Sequence, residues 1–242
     1  TKCFYGNTVS LQSPRTLDMT AYHGLVDYDP AELVITACAG TRLSEIEALL
    51  NQHGQTLAFE PPHFGEFATL GGCVAAGLSG PRRATAGAVR DFVLGVRMLN
   101  GKGEDLRFGG QVMKNVAGYD VSRLMVGALG TLGVLLEISL KVLPKPVTEM
   151  TLSMSIDETE AIDKMNRWAG QPLPISATCY RDNQLFYRLS GVESAVKAAR
   201  SKLGGEELKE EQGIAFWQAI REQTDQFFQK GKYNDLWRLS IA

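Results

Sequence analysis

The hydrophobic pattern is clearest near the middle of the chain. From Val134 to Val142, apolar residues (Val134, Leu136, Ile138, Leu140, Val142) alternate with Glu137, Ser139 and Lys141. A period of two predicts a half-buried strand. Gly127, Gly130 and Gly133 precede it at spacings of three, leaving backbone that a ligand can approach closely. Further back, Asp120 is placed to cap a short helix from Val121 to Leu129, with Gly130 to stop it.

Upstream, Leu33–Cys38 is a β-type run. Leu43, Ile46, Leu49 and Leu50 then recur at helical spacing within Arg42–His53. Ser44 and Glu47 fit a capping box, Thr41 is an alternative cap, and Gly54 fits the stop. Leu57–Phe59 predicts a short strand ended by Pro61-Pro62. VLGVRML and DLRF flank Asn100-Gly101-Lys102-Gly103, which predicts a hairpin.

Past Pro144 and Pro146 glycine thins out and charge increases. The pattern predicts a strand at Thr151–Ile156, a helix from Asp157 to Ala169 with Ile162, Met165 and Trp168 on one face, and strands at Ile175–Tyr180 and Gln184–Leu189. A helix at Val192–Leu203 and a last strand at Glu206–Lys209 complete the order βαββαβ, the ferredoxin-like arrangement. Ile214–Phe228 predicts a further helix, and LWRLSIA at the end reads as a strand cut short. The fold class expected is therefore α+β with two domains, 1–146 and 147–242.

Composition narrows function by exclusion. Of the 242 residues, 44% are hydrophobic and 21% charged, ordinary for a globular chain. A net charge of −2 argues against nucleic-acid partners. No apolar run approaches the ~20 residues of a membrane span. Cys3, Cys38, Cys73 and Cys179 are scattered, without metal or disulfide spacing, which favours a reducing, cytoplasmic setting. His23, His53 and His63 have no metal-ligand spacing. The dinucleotide-binding glycine fingerprint, the Walker loop, the nucleophile elbow and the zinc-protease helix are all missing.

What asks for a cause is glycine. Fifteen of 25 glycines lie between Gly65 and Gly133, and ATLGGCVAAGLSGPRRATAG is almost entirely small residues around Arg82 and Arg83. Two readings stand on composition alone: a tightly packed irregular loop with two solvated arginines, or a surface where backbone and arginine meet a phosphate-bearing ligand.

The chain resembles the vanillyl-alcohol-oxidase-type flavoproteins, which share the PCMH-type FAD domain. Thr69-Leu70-Gly71-Gly72, Ser79-Gly80, Gly87 and Arg90-Asp91 carry the first signature; Gly118-Tyr119-Asp120-Val121 and Gly130-Thr131-Leu132-Gly133-Val134 carry the second. PPHFGEFATLGG, GLSGPRR and FGGQVMKNVAGYD are most similar to the FAD-binding subunits of glycolate oxidases. The resemblance implies a two-subdomain FAD-binding domain over 1–146 and a smaller ferredoxin-like cap, on the substrate side, over 147–242. It implies a cofactor surface of Pro62, Thr69, Leu70, Gly71, Gly72, Ala75, Ala76, Gly77, Gly80, Arg83, Gly87, Gly133 and Val134. Arg82 stands as an alternative cation, Asn115 and Tyr119 as further site candidates, and Cys73 as a packing residue.

Further expectations follow from the same resemblance. The FAD is non-covalent, because no histidine stands where the family's attachment residue sits. The family's first pyrophosphate loop is represented only from Thr1 to Gly6, which is expected to weaken FAD binding. The function implied is oxidation of glycolate or a similar 2-hydroxy acid, with electrons passed to a catalytic flavoprotein subunit and an iron–sulfur subunit. A non-catalytic FAD-carrying subunit is the second reading. Peripheral placement at the inner membrane through those partners completes the picture; no metal and no general base is assigned.

Overall fold

The computed structural model describes residues 17–110 and 118–228. Cys3, the segment Thr1–Gly6, Asn115 and the terminal LWRLSIA lie outside the described residues. The chain divides into two compact units, 1–145 and 146–242.

In the first unit β1 (Leu25–Asp29), β2 (Val34–Cys38), β4 (Val93–Leu99), β5 (Asp105–Gly109) and β6 (Val134–Lys141) form an antiparallel sheet in the order β1-β2-β6-β4-β5. The alternating strand singled out above is its centre. One sheet face, with Ile35, Ala37, Val96, Met98, Ile138 and Leu140, packs against α1 (Leu43–Gln52), α2 (Leu70–Ala76) and Met125. Short β3 (Gln55–Thr56) and β7 (Leu143–Pro144) pair separately, while α3 (Arg83–Ala86) and α4 (Val121–Leu124) complete the unit.

Several local expectations are corrected. The alternation of β6 is interrupted: Arg97 faces Glu137 but Met98 faces Leu135, so Leu136 is a bulged residue whose carbonyl accepts the Ala39 N–H at 2.7 Å. The extra residue shifts the phase, and Leu135 is buried while Val134 and Leu136 are half-buried. The helix after Asp120 stops at Leu124 instead of Leu129, although Asp120 does cap it by accepting the Arg123 N–H at 3.0 Å. No side chain caps α1. Thr41 instead donates to the Gly24 carbonyl and accepts the Gly24 N–H, at 3.0 and 2.9 Å, fastening the entry to β1. The strand expected at Leu57–Phe59 lies two residues earlier, at β3, because Pro144 and Leu143 supply its partners there.

The second unit is an antiparallel sheet of β8 (Thr148–Ser155), β9 (Ile175–Arg181), β10 (Gln184–Gly191) and β11 (Glu206–Glu207), ordered β11-β8-β10-β9. With α5 (Glu158–Ala169) and α6 (Glu193–Leu203) as crossovers, this is the ferredoxin-like order. Asp157 caps α5 by accepting the Glu160 N–H at 2.9 Å. Asp182 and Asn183, both at positive φ (51° and 57°), make the tight β9–β10 turn. Leu152, Leu185, Tyr187 and Leu189 form a dry core with Ala161, Trp168, Val196 and Ala199. Ile162, expected on the packed face of α5, is 48% exposed; Ala161 takes the inward position. The next helix, α7 (Glu210–Glu222), begins four residues before Ile214 and ends six before Phe228; Gln223 leaves it in the left-handed conformation.

The face of the first sheet opposite its core is held by charge. Arg97 binds Asp105 (Nη2–Oδ2 2.6 Å) on one side and Glu137 (Nη1–Oε1 2.5 Å) on the other, and the Tyr22 hydroxyl donates to Glu137 at 3.2 Å. Hydrogen bonds from Arg97 hold the Asp105 carboxyl below its ordinary 3.8, against a smaller opposing push from desolvation. A folded value below the unfolded one means that this contribution is complete above the unfolded value and is lost as pH falls through the folded one. Melting temperature followed from about pH 6 to about pH 2 will drop less steeply at the acid end in Asp105→Asn than in the parent chain; identical slopes would show that the pair contributes nothing.

Candidate cofactor site

Helix α2 organises the glycine-rich region. Thr69 precedes it in extended conformation, and its Oγ1 accepts the Gly72 N–H at 3.2 Å. The Leu70 N–H is donated to the Thr41 carbonyl at 2.8 Å and the Gly71 N–H to the Ala39 carbonyl at 2.7 Å. A Cβ on Gly71 would stand 2.7 Å from the Ala39 Cβ, so only glycine allows this seat. The stretch is thus a helix and a second short one, α3, in place of an irregular loop.

These bonds bear on how the site works. The first N–H groups of a helix are normally a ready anion site. Here those of Leu70, Gly71 and Gly72 are donated within the protein. What α2 offers a ligand is instead a surface nearly free of side chains: Gly72 is exposed, and Ala75 and Ala76 are half-buried.

The structure joins this helix to the second signature. Gly77 ends α2 in the left-handed conformation (φ 64°), and a Cβ there would lie 3.0 Å from the Gly127 Cα. The Gly127 N–H is donated to the Val74 carbonyl at 3.0 Å and the Leu129 N–H to the Ala75 carbonyl at 2.9 Å. The loop between α4 and β6 therefore lands on the end of α2. On this loop and the helix before it, Leu124, Leu129 and Leu132 are 44%, 51% and 46% exposed, an apolar rim to the loop. Gly133, at the far end of the loop, answers to packing: a Cβ would come within 2.5 Å of the Leu99 carbonyl oxygen on β4. Val134 follows as the first residue of β6, opposite Leu99.

The remaining candidates sit around a second seat. Gly80 presses on the Glu60 backbone, where a Cβ would stand 2.1 Å from the carbonyl oxygen, and its N–H is donated to the Phe59 carbonyl at 2.8 Å. Pro62 is buried two residues past Glu60. The Glu60 carboxylate accepts from both the Arg82 backbone N–H (3.0 Å) and Arg82 Nε (2.9 Å). Arg82 is therefore engaged with a protein carboxylate, and Arg83, the first residue of α3, is the neighbouring cation. Gly87 clears the Asp91 carboxylate, which accepts the Ala88 N–H at 2.8 Å; Ser79 Oγ accepts the Val89 N–H at 2.9 Å. Cys73 is fully buried, as a packing residue should be, and Tyr119 is 77% exposed. Sequence reasoning missed Ala39 and Glu60 and gave Thr41 a helix-capping role instead; their roles here are backbone acceptance or a partner 22 residues away, which nothing in their local pattern announces.

A side-chain-poor helix face, a glycine-tethered loop with an apolar rim and a nearby arginine suit a flat cofactor bearing a diphosphate. Among the described residues no His/Cys/Asp/Glu group could hold a metal ion, and no helix is long and apolar enough to cross a membrane. Residues 5–109 match the family described as FAD binding domain, a class of flavoprotein domain. The chain belongs to this family of PCMH-type FAD-binding proteins.

Its relatives place it more finely. It is 55% identical over 240 residues to the glycolate oxidase subunit GlcE of Escherichia coli (strain K12), covering 99% of this chain and 66% of that one. The glycolate oxidase subunit GlcD of Bacillus subtilis (strain 168) is 31% identical over 157 residues, 64% of this chain and 33% of its own length. The D-lactate dehydrogenase of Anaerostipes hadrus is 30% identical over 155 residues, 64% and 32%. The chain thus spans a third to two thirds of these relatives. Among solved structures, an alkyldihydroxyacetonephosphate synthase superposes with a TM-score of 0.67 at 17% identity, over 85% of this chain and 45% of that one, a likeness of fold.

Two substitutions separate the seats from the surface. Thr69→Ala removes the α2 cap and is expected to cost about 1 kcal/mol in unfolding free energy. Gly71→Ala forces a methyl into the Ala39 contact and is expected to cost about 1–3 kcal/mol. Urea titration of each variant provides the check, and a Gly71→Ala chain as stable as the parent would contradict the seat.

Proposed function

We propose that this chain is the FAD-binding subunit of a complex that oxidises glycolate or a similar small 2-hydroxy acid. The observation that carries the proposal is the tie between α2 and the α4–β6 loop, which joins the two FAD-family signatures in one surface. The extent of the likeness to the GlcE subunit supports it.

In this reading residues 1–146 are the FAD-binding domain and 147–242 a cap on the substrate side. Thr69, Leu70, Gly71, Gly72, Ala75, Ala76, Gly77 and Gly80 form the cofactor's backbone-lined wall, with Pro62 and Gly87 at its margins and Gly133 and Val134 on the second wall. Arg83 supplies counter-charge to the diphosphate, since Arg82 is engaged by Glu60. The apolar rim of Leu129 and Leu132 keeps water from the cofactor. When bound, non-covalently, FAD supplies an acceptor for a hydride from the hydroxy-acid α-carbon and passes electrons on to a catalytic flavoprotein subunit and an iron–sulfur subunit. The setting is cytoplasmic, with peripheral attachment to the inner membrane through those partners.

A specific observation keeps a second reading, a carrier of FAD whose partner holds the substrate. Among the described residues His53 packs edge-on against Tyr28 (ring centroids 5.2 Å) and His63 faces Glu47 at 3.3 Å. Both have structural neighbours, so neither is assigned as the general base.

The full-length protein, expressed alone and treated anaerobically with glycolate or D-lactate, tests both readings. Bleaching of bound flavin is the outcome expected for catalysis in this chain. Bleaching only after addition of the partner subunit makes it the carrier, and absence of bound flavin in either state overturns both. Gly72→Leu places a side chain on the bare face of α2, where among the described residues a Cβ meets Thr69 Oγ1 (3.1 Å). It is expected to weaken FAD binding at least ~10-fold, a loss of about 1.4 kcal/mol or more, with the apoprotein melt little changed; fluorescence quenching titration reads the affinity. Unchanged affinity would remove Gly72 from the site.

A further inference from the structure

The two faces of the second sheet differ in kind. One is the dry core under α5 and α6. The other carries Thr151 and Ser153 on β8, Phe186, Arg188 and Ser190 on β10, and Arg181 on β9, by the alternation of strands in register. The face is mixed, since the same register puts Ala177 and Cys179 of β9 beside these groups, and α7 lies across it.

The helix is held there sparsely. Its buried apolar contact is the small cluster of Ala177, Phe186 and Trp217, with Phe216, Leu208 and Cys179 half-buried around it. Gly213 lets the helix close on Thr151, where a Cβ would stand 2.7 Å from Oγ1. The Trp217 indole N–H donates to that same Oγ1 at 3.0 Å. Guanidinium groups from the sheet rise to meet the helix aromatics: Arg188 stands 5.2 Å from the Trp217 ring centre and Arg181 5.5 Å from that of Phe216. Past the helix end, Asp225 accepts from Arg181 and from the Phe227 N–H, the latter at 3.0 Å. Asp182, 3.4 Å from Arg181, is the other acidic group at that guanidinium.

From this geometry we infer that α7 is a strap, latched at its end by Asp225 on Arg181, which lifts from the sheet as a unit while the sheet stays folded. Two properties make it separable. Its buried apolar contact is confined to the Ala177, Phe186 and Trp217 cluster with Phe216 stacked on Phe186 at 4.3 Å, fewer residues than the core under α5 and α6, and regions with few buried apolar contacts open below the global free energy. The latch residue lies outside the helix proper, and what holds α7 once that ion pair is released, the Trp217–Thr151 hydrogen bond and the aromatic cluster, involves no strand pairing. Opening exposes Arg181, Arg188 and Phe186 together, a cationic and aromatic surface. The strap does not depend on whether the chain itself oxidises a substrate.

Hydrogen–deuterium exchange on the full-length protein tests it. In the parent chain, amides of α7 are expected to exchange at least ~10-fold faster than those of β8 and β10. Asp225→Asn keeps the shape of the latch and removes its charge; it should speed α7 several-fold further, leaving β10 unchanged. Equal protection of α7 and β10 in the parent, or equal acceleration of both in Asp225→Asn, would overturn the strap. The parent measurement decides the matter by itself should the variant fail to fold.

Discussion

The seat of α2 on Ala39 is the constraint from which the first unit follows. Gly71 approaches so closely that no side chain fits, and its N–H closes on the Ala39 carbonyl at 2.7 Å. Ala39 in turn donates to Leu136, the residue bulged out of the central strand. One backbone therefore ties the helix start to the middle of the sheet. With the start fixed, the end is fixed too: Gly77 turns out of the helix where Gly127 crosses, and the 127–129 loop donates back to the last carbonyls of α2. The consequence is a surface defined by missing side chains. Because the first N–H groups of α2 serve this seat, the proposed site holds a diphosphate by shape and by a neighbouring arginine more than by the helix terminus.

Signals that act locally were legible in the chain. Asp157 caps α5 because a carboxylate before a helix meets orphan N–H groups whatever surrounds it. The Asn100–Glu104 turn forms where glycine and asparagine permit it, with Asn100 Oδ1 accepting the Lys102 and Glu104 N–H groups. The βαββαβ order of the second unit came through because each element is bounded by its own stop. What stayed hidden was set by distant contacts. Leu70–Ala76 contains two glycines, costly in a helix at roughly 1 kcal/mol each, and it folds because Ala39 and Thr41 receive it. Val121–Leu129 reads as one helix, but Gly127 turns to reach the Val74 carbonyl and the helix ends at Leu124. Of two adjacent arginines, Arg82 is taken by Glu60, a partner that no spacing rule reveals. Capping of α1 failed for the same kind of reason: Thr41 had a better use at Gly24.

Both units meet one problem, a sheet whose second face is not greasy, and solve it differently. In the first, charges on neighbouring strands neutralise each other sideways: Arg97 on β4 reaches Asp105 on β5 and Glu137 on β6, and Thr36 meets Ser139 at 2.8 Å. The ladder and the charge network then share the same strands, so neither can yield without the other. In the second, Ser176 joins Ser190 across the sheet at 2.6 Å, but Arg181 finds its carboxylate on a residue after α7 and Arg188 stacks on a ring of α7 itself. Buried polar groups must be satisfied by something. Where that something is the sheet, the face is rigid; where it is a helix resting on the sheet, satisfaction depends on docking. The polar pattern on this face is thus also what makes the docking of α7 specific, since an element bringing a carboxylate and an indole N–H to the right strands completes the pairing of Arg181 and Thr151.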